Sequence, residues 1–232
     1  RGAYDLSVAA TRALEHARET VRAFIGAAGT EEIIFTKGAT ESINLVARTF
    51  AIKELGFGDE IALLVSEHHS NLIPWQYAAR VSGAKLRYLY TDREGRLPDS
   101  EIEEKITPAT KLVAVGHISN VTGVINPVEE IIARAHSVGA RVLVDGTQAV
   151  PHISVDVRAL DADFYVFSSH KMLGPGGVGI LYGKRELLEN MPPFLFGGDM
   201  IEYVEEQSAT FAPLPQKFEA GTLDVGGAVG LA

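Results

Sequence analysis

The chain has 232 residues, 46% of them hydrophobic and 22% charged, carries a formal net charge of −9 and contains no cysteine. A globular chain of this length buries roughly 70 to 75% of its unfolded surface, which removes disorder as the main state and any need for disulfide or metal staples. The missing cysteines exclude disulfides, zinc–thiolate sites, iron–sulfur clusters and a thiol nucleophile from these residues, and 30 acidic against 21 basic residues oppose nonspecific binding to nucleic acid or an anionic membrane.

In chain order, apolar residues recur at helical spacing after Ser7, through Val8, Leu14, Ala17, Val21, Phe24 and Ile25, and Gly26 is the stop. Ile33–Phe35 is a short β-rich run. Gly38-Ala39-Thr40 then opens a second helical pattern through Ile43, Val46, Ala47, Phe50 and Leu55. The cycle repeats with a strand around Ile61 to Val65, a helix around Trp75 to Val81 and a strand over Lys85 to Tyr90. A polar, acidic stretch fills Thr91 to Thr107, followed by a strand at Lys111 to Val115, a helix at Val128 to Val138 and a strand at Arg141 to Val144. From Asp163 two strand-like runs, Phe164 to Phe167 and Val178 to Tyr182, follow each other without a helix between them, which suits an antiparallel hairpin. Met191 to Gln216 is rich in Pro, Gly and Phe and reads as irregular or as an extended excursion.

Alternating strands and helices predict an α/β fold: one large domain with a mainly parallel central sheet, helices on both faces and one antiparallel addition after residue 163. No apolar run approaches the ~20 residues of a membrane helix and no leader precedes a cleavage site, so the expected compartment is the cytoplasm, with no membrane and no nucleic-acid partner. The start at Arg1 and the small, apolar run Gly226 to Ala232 read as the core of a longer protein.

In open α/β sheets ligands sit beyond the carboxyl ends of the strands, so polar residues that directly follow apolar runs are the candidates. Gly38-Ala39-Thr40 suits a phosphate, through backbone N–H groups, the helix dipole and the Thr40 hydroxyl, or is simply a capped helix start. Asp145, at a strand end, needs a cationic partner such as a protonated pyridine nitrogen, or serves as a helix cap or loop ion pair. Lys171 follows an aromatic strand; a lysine held beside a cofactor can act as a neutral amine and form a Schiff base, whereas most lysines are solvated. His68 suits stacking on an aromatic cofactor or a surface loop, and no metal-ligand spacing accompanies it or His69. Gly174, Gly176 and Gly179 match G-x-G-x-x-G, but Ile180-Leu181-Tyr182 continues as strand where a dinucleotide site needs a helix.

Taken together, the segments GATESINLVA (38–47), SEHHSNLIPWQ (66–76), HISNVTGVINP (117–127), LVDGTQAVPHISVDVRALDADFYVFSSHKMLGPGGVGILYG (143–183) and FEAGT (218–222) resemble pyridoxal-phosphate enzymes of fold type I. More closely, they resemble the class V aminotransferase group and its SufS-type (group II) cysteine desulfurases and selenocysteine lyases. The resemblance runs from about Leu6 to Gly227. It implies a pyridoxal 5′-phosphate-binding large domain over residues 1–232, with a small carboxyl-terminal domain beyond them that holds the substrate-binding arginine and a sulfur-accepting cysteine.

By position, the resemblance implies that Lys171 binds the cofactor covalently, Asp145 pairs with the pyridinium nitrogen, His68 stacks on the ring and Gln148 donates to its phenolic oxygen. Asn120 lies where ring and substrate carboxylate meet. The backbone of Ala39 and the side chains of Thr40, Ser168 and His170 hold the phosphate, while Thr222 reaches the phosphate of the partner subunit in a homodimer. The catalytic set is then Lys171, His68 and Asp145. The implied reaction takes sulfur from L-cysteine, giving L-alanine and a persulfide for a sulfur-acceptor protein and iron–sulfur cluster assembly; selenocysteine lyase, with L-selenocysteine as substrate, or another class V activity is the alternative. Ala39 and Ser169 depart from residues common in relatives, Thr and Gly respectively, as does Phe194-Leu195-Phe196 before Gly197, without touching this core chemistry.

Overall fold

The computed structural model describes residues 4–232. Helix α1 (Asp5–Phe24) leads to strand β1 (Ile33–Thr36), then to α2 (Ala39–Val46), which continues through a π-helical turn at Ala47–Ala51 into α3 (Ile52–Glu54). Next come β2 (Glu60–Leu64), α4 (Ile73–Ser82), β3 (Lys85–Leu89), α5 (Asp99–Lys105), β4 (Thr110–Gly116), α6 (Val128–Ser137) and β5 (Arg141–Asp145). The chain ends with β6 (Phe164–Ser168), β7 (Gly179–Gly183), α7 (Arg185–Asn190), a hairpin of β8 (Ile201–Val204) and β9 (Ala209–Phe211), and α8 (Val225–Leu231).

Among the described residues, seven strands form one sheet in the order β1-β7-β6-β5-β4-β2-β3. β2, β3, β4, β5 and β6 pair in parallel, and β7 runs antiparallel to both β6 and β1. The antiparallel addition expected after residue 163 is therefore β7, inserted between β6 and the first strand of the chain. After β3 the chain returns to the far side of β2, lays down β4, and advances through β5 and β6. That reversal opens a crevice at the carboxyl ends of β2 and β4.

Strand side chains alternate between two cores, as pleating requires. Ala62, Leu64, Val113, Val115, Val142, Val144, Tyr165 and Phe167 pack with α1 and α6 on one face. Ile61, Leu63, Leu112, Ala114, Leu143, Phe164 and Val166 pack with α2, the π-helical turn and α4 on the other. Burial on both faces is why these strands read as continuous apolar runs rather than alternating ones. The fully buried Arg18 of α1 ties three segments together: it donates to both carboxylate oxygens of Glu219 at 2.7 and 2.9 Å and to the Ile33 carbonyl at 2.7 Å. Glu219 in turn accepts the Phe35 N–H at 2.8 Å.

Four elements are not assigned by the sequence reading. Helix α5 lies inside the polar, acidic stretch from Thr91 to Thr107, to which the sequence assigns no element, because Ile102 is its one buried residue and leaves no periodicity to see. Helix α7 precedes, and the β8–β9 hairpin lies within, the stretch from Met191 to Gln216 that reads as irregular or extended; every residue of the two hairpin strands is exposed, so no inward-facing pattern marks them. Helix α8 forms from the glycine-rich run at the carboxyl end, against its intrinsic propensity, because Asp224 caps the Gly227 N–H at 2.8 Å and Ala228 and Leu231 pack into the core beside α1.

Candidate active site

A cavity of about 280 Å³ opens in the crevice. Its wall includes Ala39 and Thr40 from the start of α2, Glu67 and His68 after β2, Asn120 after β4, Asp145 and Gln148 at and after β5, and Ser168, His170 and Lys171 from the end of β6 onward. The sequence candidates thus converge on one place from five separate loops. Thr222 does not join them: it lines a separate depression with Lys37, Glu41 and Leu195.

At one end of the cavity the first turn of α2 meets β6. The Ala39 N–H donates to Ser168 Oγ at 2.8 Å, joining two residues 129 positions apart. This approach depends on two facing glycines, since a Cβ on Gly179 of β7 would overlap the Gly38 backbone. Thr40 and His170 flank this cradle with exposed side chains.

Asp145 ends β5 opposite Gly116 of β4. Burial pushes its carboxyl above the usual range, while hydrogen bonding from Thr147 and the charges of His68 and Lys171 pull it back. The Thr147 N–H donates to Asp145 Oδ1 at 3.0 Å. No cation stands in ion-pair contact with Asp145 among the described residues. Gly146 follows because the Tyr165 ring occupies the space that a side chain there would need. The Tyr165 hydroxyl meets His117 Nδ1 at 2.9 Å, a buried pair that supports the strand end from below. Burial raises the Tyr165 hydroxyl and lowers the His117 imidazole, so both are neutral near pH 7.

Lys171 sits in the short 3-10 turn Ser169–Lys171 directly after β6 and is exposed toward the cavity. His68 caps the 3-10 turn His69–Asn71: its Nδ1 accepts the Ser70 N–H at 3.1 Å and lies 2.7 Å from Ser70 Oγ.

Three lining residues have no individual role in the sequence reading, although Glu67 and Thr147 lie in the polar segments that follow β2 and β5. Glu67 accepts the Gly116 N–H at 2.7 Å and an N–H of Asn71 Nδ2 at 2.7 Å. Asn126 donates to the Gly116 carbonyl at 2.7 Å. Thr147 lines the wall beside Asp145, to which its N–H donates. The available signal for Glu67 is its place between a strand end and His68, and for Thr147 its place two residues after Asp145; Asn126 is brought in only by the folded loop.

The aminotransferase class-V family model matches residues 1–232, the whole chain. The chain belongs to that family. Among curated relatives, a probable cysteine desulfurase of Halalkalibacterium halodurans is 51% identical over 231 residues, covering 100% of this chain. The chain spans 57% of that relative's length. Among solved structures, the apo cysteine desulfurase of Thermococcus onnurineus NA1 superposes with a TM-score of 0.95 at 45% identity, over 100% of this chain and 57% of that one. A lysine-to-alanine variant of the cystine C–S lyase C-DES, with glycine covalently linked to its PLP cofactor, superposes with a TM-score of 0.87 at 25% identity, over 100% of this chain and 62% of that one. Membership of the class V group agrees with the resemblance of the five motifs and with the mixed sheet described above.

Proposed function

We propose that these residues form the cofactor domain of a pyridoxal-phosphate-dependent cysteine desulfurase. The observation that carries the reading is the meeting, in one cavity, of Lys171, a buried Asp145 without a cation and the Ser168–Ala39 cradle at the start of a helix. The wall fits the cofactor chemically. A buried carboxylate calls for a cation, which a protonated pyridine nitrogen is, and the cradle suits a dianionic phosphate.

When bound, pyridoxal phosphate supplies an electron sink for negative charge at the Cα of an amino acid. Asp145 keeps the ring nitrogen protonated, and its burial strengthens that attraction. Lys171 would hold the cofactor aldehyde, and its amine would be the base that moves the Cα proton. His68 covers one face of the ring, Gln148 donates to the phenolic oxygen, and Asn120 stands between ring and substrate carboxylate. Ala39, Thr40, Ser168 and His170 bind the phosphate. The position of Thr222 outside its own cavity supports its reaching the phosphate of the partner subunit in a homodimer.

L-cysteine as substrate and sulfur delivery to an acceptor protein, for iron–sulfur cluster assembly in the cytoplasm, complete the reading. Among the described residues no helix is long and apolar enough to cross a membrane. Incubating the full-length protein with pyridoxal phosphate and L-cysteine tests it: stoichiometric L-alanine together with a protein persulfide is expected. Alanine without a persulfide points instead to selenocysteine lyase or another class V activity, and no alanine contradicts the reading.

A further inference from the structure

The cavity wall contains a carboxylate to which the reading above gives no task. Glu67 holds the Gly116 N–H with Oε1 and Asn71 Nδ2 with Oε2, each at 2.7 Å, and Asn71 Oδ1 accepts the indole N–H of the fully buried Trp75 at 2.9 Å. The direction of this chain is fixed. An indole N–H and a backbone N–H can only donate, so Asn71 must turn its oxygen to Trp75 and its NH₂ to Glu67, and Glu67 must accept twice. A proton on Glu67 finds no acceptor in either bond and is left facing the cavity. The three linked residues also brace the turn His69–Asn71, which His68 caps, against the end of β4.

We propose that Glu67 is the positioning residue that locks the His68 turn onto β4, with its one exchangeable proton presented to the cavity. The inference rests on the reading of the cavity as a pyridoxal-phosphate site with His68 over the ring. Burial pushes the Glu67 carboxyl up to about 8, with the Asp145 charge adding to the rise and the Gly116 and Asn71 hydrogen bonds opposing it. The other ionisable groups on the wall are His68 beside it, Asp145 at the end of β5, and His170 and Lys171 after β6; α4 presents Trp75 to the relay. Glu67 therefore changes charge close to neutral pH, and Trp75 reports the change through Asn71.

The test uses the full-length protein labelled with 5-fluorotryptophan, the Trp75 resonance being assigned by its loss in Trp75→Phe. Titrated without cofactor from about pH 6 to about pH 10, the Trp75 fluorine signal is expected to shift with a midpoint near 8, and Glu67→Gln to abolish the shift. Because the Gln amide must turn its NH₂ toward one of two donors, pyridoxal phosphate binding, read from visible absorbance, should weaken by about tenfold. A flat wild-type signal, an unchanged titration in Glu67→Gln, or equal cofactor affinity overturns the proposal. If Glu67→Gln does not fold, Glu67→Asp replaces it: its shorter carboxyl cannot span Gly116 and Asn71, so most of the Trp75 shift is lost, and a full shift overturns the proposal. Absence of a visible band in the wild type counts against the cofactor reading, while the cofactor-free fluorine titration still judges the lock.

Discussion

The polar groups around the cavity fall into two sets. On the side built from the ends of β2, β4 and β5, Glu67, Asn71, Asn126 and Asp145 all have hydrogen-bond partners within the chain. Thr40, His170 and Lys171, from the start of α2 and the turn after β6, are exposed, and their side chains make no hydrogen bond or ion pair among the described residues. The first set is fixed by the fold before any ligand arrives. The second keeps its rotamer freedom until a ligand orders it. Substitutions should therefore separate the two: losses in the second set fall on function and losses in the first fall on stability as well.

The largest effect is expected at Lys171. Lys171→Ala should abolish desulfurase turnover while changing folding stability by no more than about 0.5 kcal/mol, measured by urea denaturation; a large stability loss would erase the distinction between the sets. Asp145→Ala should also abolish alanine release from cysteine yet leave some cofactor bound, and full activity would contradict its role at the ring nitrogen. Asn71→Ala leaves Trp75 and Glu67 each short of a partner inside the wall, so it should cost about 1–3 kcal/mol of stability, read from the denaturation midpoint. The smallest effect is a pH slope. Glu67 has a folded value of about 8 against an ordinary 4.5, so between those limits the folded state binds more protons than the unfolded state. Stability should fall as pH rises through that window and level off above it; Glu67→Gln should remove that component, and an identical slope in the variant would contradict the buried carboxyl.

The fold was legible where burial on both faces left continuous apolar runs, and the alternation of strands with helices then implied a mainly parallel sheet, without its strand order. It was illegible where a helix buries one residue, as at Ile102 in α5, or where a strand buries none, as in β8 and β9. The glycine-rich α8 is formed by its contact with α1, which no local pattern encodes. At the site, Asp145, Lys171 and His68 stood out because each lies in a short polar segment that follows an apolar run. Glu67 lay in the same segment as His68, but its place in the wall depends on the Gly116 amide 49 residues away. Asn126 likewise acquires meaning only from its loop folding back onto the Gly116 carbonyl.

The most direct test of the central claim is the visible absorbance of the full-length protein reconstituted with pyridoxal phosphate, compared with Lys171→Ala prepared in the same way. A band in the wild type that is lost in the variant is the result predicted by covalent attachment at Lys171. No band in the wild type, or an unchanged band in Lys171→Ala, would contradict it.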